Sequence, residues 1–145
     1  MSTATPEIQD LARQLIAFEA ENESASDLPT GIALQVVLEL RARLIRLTGI
    51  EGFQSLLSRA LALARMDEPI LNMVRINPDG SLEGFDQIES SQEAGKAEQS
   101  ALVLVSHLLE LLMTFIGTSL TLRLLQDRWP DAQIERANRG VEGKT

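Results

Sequence analysis

Residues 101–125 read ALVLVSHLLELLMTFIGTSLTLRLL, apolar nearly all the way round except for one narrow polar line. At about 100° per residue, Glu110, Thr114, Gly117, Thr121 and Arg128 fall within roughly 80° of Ser106, and His107 and Thr118 lie just beyond. Leu104, Val105, Leu108, Leu109, Leu111, Leu112, Phe115, Ile116, Leu120 and Leu122 fill an apolar arc of about 240°. A helix on the surface of a helical bundle needs only somewhat more than about 100°. This one cannot turn a broad side to water. The rest of its own chain, a second copy, a partner or lipid has to enclose it.

The other apolar segments share the helical spacing. A helix is expected over residues 6–22, with Thr5 as N-cap, Pro6 at the first position and Ile8, Leu11, Ala12, Leu15 and Phe18 on one face. A polar linker follows over residues 22–29. A second helix over residues 30–48 stops at Gly49, and Leu34, Val37, Leu38, Leu40, Leu44, Ile45 and Leu47 cover roughly two-thirds of its circumference. Glu39 and Arg43 form an i,i+4 pair on its polar side. Arg41 falls within the apolar arc, where it marks the edge or finds a carboxylate. A third helix over residues 50–66 carries Phe53, Leu56, Leu57, Ala60, Leu61, Leu63 and Ala64 on one side.

Asp67-Glu68-Pro69 ends that helix or restarts it as a short piece. Asn77-Pro78-Asp79-Gly80 is a strong turn signal, and the residues on either side of it can pair as a minimal hairpin. Gly84 and Asp86 are expected to continue the loop. Ser90 and Glu93 make a capping box, after which helical periodicity runs to Trp129, with Gly117-Thr118-Ser119 able to kink or divide it. Two helices thus have apolar arcs too wide for a surface position. Either the last long helix is ringed by the others, or its surplus face meets a copy of itself.

Charge and composition narrow the functional classes. The 145-residue chain has a net charge of −8 and only 3% aromatic residues, which argues against general nucleic-acid binding. The arginine-rich residues 31–66 lie between two acidic segments; mutual neutralisation within the fold is expected, with a basic docking patch as the alternative. Cysteine is absent, which removes disulfides, thiolate nucleophiles and cysteine metal sites and suits the cytoplasm. No secretory leader is expected, because residues 1–7 have no basic region and no apolar run follows. Residues 101–122 are long enough to cross a bilayer, but His107 and Glu110 would be costly in lipid, so a membrane span is not expected.

Few residues suggest chemistry. Residues 140–145, GVEGKT, superficially match a phosphate-binding loop, but Asn138 stands where that pattern needs glycine. His107 is the only histidine and lies three residues before Glu110. Metal-binding bundles use that spacing but add several carboxylates from other helices. The simpler reading is a His107–Glu110 hydrogen bond or ion pair at the edge of the polar stripe. Histidine phosphotransfer bundles expose their histidine, whereas Val105, Leu108 and Leu109 suggest burial here. A single histidine among many serines gives no basis for a catalytic triad. Asp67, Glu68, Glu83 and Asp86 read as solvated loop acids. Arg123, Asp127, Arg128 and Trp129 cluster at the end of the last helix. Asp127 can pair with Arg123, and Trp129 either plugs the end of the bundle or anchors a partner.

The sequence therefore predicts an all-α fold: a four- or five-helix bundle with a long, largely buried C-terminal helix and one short loop or minimal β-hairpin around residues 74–83. Residues 1–137 form a single helical domain and residues 138–145 a flexible tail. The expected function is non-catalytic: a cytoplasmic protein–protein interaction or assembly module acting as a homodimer, without cofactor or metal. The candidate polar stripe is Ser106, His107, Glu110 and Thr114; the candidate interface is Arg123, Arg128 and Trp129. Two alternatives are a histidine phosphotransfer or signalling bundle using His107 and a module that holds an apolar ligand or lipid between helices.

Overall fold

The computed structural model describes residues 5–22, 29–79, 82–90 and 94–129. The protein is mostly helical, with one small two-stranded sheet. The expected tail at residues 138–145, its GVEGKT sequence and most of the 22–29 linker lie outside the described residues.

Helix α1 spans Pro6–Asn22. Thr5 caps it: its Oγ1 accepts from the Ile8 amide at 3.4 Å and its carbonyl from the Gln9 amide at 2.9 Å. Ile8, Leu11, Ala12 and Leu15 are buried on one face.

Helix α2, Pro29–Asp67, is one element broken at Gly49, whose φ of 77° and ψ of 165° are not helical. The stop expected there is therefore a kink between two helical halves. Thr48 supports it, its Oγ1 donating to the Leu44 carbonyl at 3.0 Å and lying equally close to the Gly49 carbonyl. Val36, Val37, Leu40 and Leu44 are buried before the kink, and Phe53, Leu57, Ala60, Leu61 and Ala64 after it. Leu38 and Leu47 remain exposed, so the wide arc of the first half is not wholly enclosed. Arg43 pairs with Glu39 at 3.5 Å, as the i,i+4 spacing implies.

A 3-10 segment, Pro69–Met73, follows and buries Leu71. Arg65 clamps it to α2, donating to the carbonyls of Leu71 at 3.2 Å and Val74 at 2.6 Å. Strands β1 (Arg75–Ile76) and β2 (Leu82–Glu83) pair antiparallel, Arg75 opposite Glu83 and Ile76 opposite Leu82. A ladder this short needs external support. Arg41 donates to the Asp79 carbonyl at 2.7 Å, and the Gln54 side-chain amide to the carbonyls of Asn77 and Pro78. Arg41 thus finds a main-chain carbonyl of the turn rather than a carboxylate. Of the arginine-rich stretch, Arg43 pairs with carboxylates, whereas Arg41 and Arg65 donate to carbonyls.

The chain after the hairpin is not loop. Gly84, at φ 113°, approaches the Met73 backbone so closely that a Cβ would collide with it, and its carbonyl accepts from Gln87 and Ile88. Helix α3 (Phe85–Ser90) starts there because Phe85 and Ile88, three apart, both enter the core. The Ser90–Glu93 capping box falls partly outside the described residues.

Helix α4, Ala94–Ile116, packs most extensively on α2 and also on α1 and α3. All six residues from Leu104 to Leu109 are buried, so at that level α4 is enclosed on every side. The pattern that runs to Trp129 is divided: Gly117, at φ 95° and ψ 151°, separates α4 from α5, Thr118–Arg128. Trp129 is fully buried and its indole N–H donates to Glu19 Oε1 of α1 at 2.9 Å. Among the described residues one helix segment, Glu98–Ile116, is long and apolar enough to cross a membrane; half of it is buried within the fold.

Both helix breaks rest on backbone that only glycine adopts readily. A Cβ at Gly49 or Gly117 would meet nothing within 4 Å, so the cost of alanine there is purely conformational. Gly117→Ala and Gly49→Ala are each expected to lose about 1–3 kcal/mol of stability. Urea unfolding followed by the fluorescence of Trp129 measures this. Unchanged or increased stability for Gly117→Ala would show that α4 and α5 run as one continuous helix.

Candidate functional site

Two of the four residues of the polar stripe of α4 are satisfied by their own helix. Ser106 Oγ donates to the Leu102 carbonyl at 2.8 Å and Thr114 Oγ1 to the Glu110 carbonyl at 3.1 Å. Thr121 repeats the pattern in α5, donating to the Gly117 carbonyl at 2.8 Å. Such bonds to the carbonyl four residues back let hydroxyls sit inside an apolar core.

His107 is different. It is 1% exposed, and its ring reaches across the fold. Nε2 lies 2.8 Å from Asp67 Oδ2, at the end of α2. A carboxylate only accepts, so Nε2 carries the proton and donates. The Glu110 carboxylate, expected as a hydrogen-bond or ion-pair partner, is 3.8 Å from Nδ1, within ion-pair reach but too far for a hydrogen bond. Nδ1 is buried without a hydrogen-bond partner. Asp67 is therefore not a solvated loop acid: it terminates α2 and holds the imidazole from 40 residues away.

His107 and Asp67 lie on a cleft of about 290 Å³. Glu68 at the end of α2, Gln9 of α1 and Gln99 of α4 contribute the rest of its polar wall, together with Ser106. Leu102 and Val103 supply an apolar wall. Of the sequence candidates, the cleft brings together Ser106 and His107. Thr114, on the surface, and Glu110, half-buried, stand outside it. Asp67, Glu68, Gln9 and Gln99 were not selected as site residues, because only the crossing of α1, α2 and α4 gathers them.

The cluster at the end of α5 divides. Arg123 is exposed, the side chain of Arg128 lies outside the described ones, and Trp129 is enclosed against Glu19 rather than displayed. Asp127 lies 3.4 Å from Arg43 of α2, a partner other than the Arg123 suggested by its spacing. Exposed large apolar side chains occur on α2 (Leu38, Leu47 and Met66), at Met73, and where α4 meets α5, where Phe115 is 64% exposed and Leu120 37%. No protein-family model, curated protein or solved structure matches this chain.

The His107–Asp67 bond makes a stability prediction. Asp67→Ala leaves a buried N–H without an acceptor and is expected to cost about 1–3 kcal/mol. His107→Phe in the Asp67→Ala background removes the orphaned donor and recovers part of that loss. A double-mutant cycle by urea denaturation measures the coupling. Strictly additive single effects would show that the two side chains do not interact.

Proposed function

We propose that this chain is a non-catalytic helical assembly module that pairs with a second copy of itself through the elbow between α4 and α5. The observation that carries this reading is the combination of Phe115 and Leu120, both exposed, with a sequence that has no charge from residue 111 to residue 122. Thr114, Gly117 and Ser119 complete the exposed part of the elbow.

A two-fold interface favours such a surface. Residues near the axis meet their own copies, so any charge there faces a like charge. With a net charge of −8, most faces of this protein repel themselves. An uncharged elbow is where a second copy is opposed least, and burying the exposed part of Phe115 contributes about 1–2 kcal/mol per protomer. A standard interface covers about 800 Å² per partner, so the contact extends beyond these two side chains, and half-buried Ile116 lies between them in sequence. In this reading the helices form a bundle, the cysteine-free chain works in the cytoplasm and no cofactor is required.

The alternatives draw less support. Phosphotransfer through His107 needs an accessible ring nitrogen, whereas Nε2 is engaged by Asp67 and the side chain is buried. An apolar ligand needs apolar walls, and the cleft beside His107 carries two carboxylates.

Sedimentation velocity at about 50 μM, a concentration that populates any dimer of micromolar affinity, tests the reading. The wild type is expected to sediment as a dimer and Phe115→Glu and Leu120→Glu as monomers. Their helicity should be unchanged, since both side chains already contact water. A monomeric wild type, or a dimer that survives both substitutions, overturns it.

A further inference from the structure

Helix α2 and the α4–α5 segment run side by side in opposite directions, held by two cross-ties. Asp67 meets His107 at 2.8 Å near one end, and Arg43 meets Asp127 at 3.4 Å near the other. Each segment breaks once between its ties, α2 at Gly49 and α4–α5 at Gly117. Both glycines take nearly the same backbone conformation, φ 77° and ψ 165° at Gly49 and φ 95° and ψ 151° at Gly117. That region is essentially closed to residues with a Cβ, whereas glycine passes between it and the helical region at little cost. Among the described residues nothing lies within 4 Å of where either Cβ would be, so no neighbouring atom crowds either break. A helix pair in which both members bend between the same two ties has the form of a hinge.

Helix α1 crosses that hinge without a break. Gln9, near its start, lines the cleft with Asp67 and His107 on one side of the two glycines. Glu19, near its end, is buried on the other side, where it accepts from the Trp129 indole at 2.9 Å, just beyond Asp127. Ile8, Leu11, Ala12 and Leu15 bury the face between these two attachments. A straight rod attached on both sides of a hinge fixes its angle. We propose that α1 is a strap that holds a two-glycine hinge closed, and that the Trp129–Glu19 hydrogen bond is its buckle. When the buckle opens, Gly49 and Gly117 return to helical conformation, α2 straightens and the end of α5 moves away from α1. The movement uncovers the apolar face of α1 and the surface of α4 on which it packs. The docking of one helix thereby sets how much apolar surface the protein offers. This device goes beyond the pairing proposed for the elbow and does not depend on it.

The chain has no cysteine, so Leu38→Cys and Met66→Cys, at exposed positions on the two arms of α2, take a single pair of spin labels. Electron–electron double resonance on labelled protein diluted into an excess of unlabelled chain reads the distance within single chains, whether or not they pair. A straight α2 would separate the two positions by about 42 Å. The labelled protein, otherwise wild type, is expected to give one shorter distance, with the open form at about 1%. Trp129→Phe removes the indole donor and is expected to raise the open form about tenfold. Gly49→Ala, which disfavours the bent conformation directly, is expected to raise it at least as much. In both variants the longer distance should be narrowly distributed and near 42 Å, with helicity by circular dichroism unchanged. A distance already near 42 Å before either substitution, an unchanged distance in either folded variant, or a broad distribution with loss of helicity overturns the proposal.

Discussion

The enclosure of α4 between Leu104 and Leu109 is the constraint from which the rest of the structure follows. Six consecutive buried residues on a helix leave no direction open to solvent, so neighbouring elements must cover it all round. Helices α1, α2 and α3 all pack on it, and α2 covers most. The long polypeptide of α2 does this in two helical halves joined at Gly49, each with its own buried face. A single straight helix of that length would run past the core it has to cover. The small hairpin then closes against α2 through Arg41 and Gln54, which satisfy carbonyls that a two-residue ladder cannot.

Enclosing α4 also traps polar groups, and each is accounted for differently. Hydroxyls on α4 and α5 turn back onto carbonyls of their own helices. The imidazole and the indole cannot do so and reach across the fold, His107 to Asp67 over 40 residues and Trp129 to Glu19 over 110. Buried polar bonds of this length contribute modestly to stability, but they favour one arrangement of the helices, because any shift leaves a donor or acceptor stranded. One ties the end of α2 to the middle of α4. The other ties the end of α1 to the residue that closes α5. The only tryptophan is thereby part of the core, although its position near the end of the last helix is equally that of an interface anchor.

The elbow and the cleft, both left at the surface once the core is packed, have opposite character. The elbow at Gly117 is uncharged and greasy because the break stops α4 before its apolar arc is fully covered. The cleft at the end of α2 is acidic and lined by groups that accept hydrogen bonds.

Local patterns in the sequence determined the helical class, the buried face of α1, the Thr5 cap, the break at Gly49 and the turn at residues 77–79, and they marked Gly117 as a place where the last helix could kink or divide. All of these arise from backbone conformation and hydrogen bonding within a few residues, which a short window of sequence contains. Local patterns failed at Phe85, where two core contacts turned an apparent loop into α3. They were incomplete at His107, where Glu110 three residues away comes within ion-pair reach but does not supply the hydrogen bond. The ring hydrogen-bonds Asp67 because the approach of α2 to α4 brings that carboxylate closer, and nothing in the spacing of either helix encodes their approach. Of the candidate site, Ser106 and His107 were legible from their place on the stripe; Asp67, Glu68 and Gln9 were not, because they converge only through helix crossing. The apolar surplus of α4 was a matter of periodicity, but which part of it stays in contact with water was decided by tertiary packing, since burial is a property of neighbours rather than of the chain that carries the side chain.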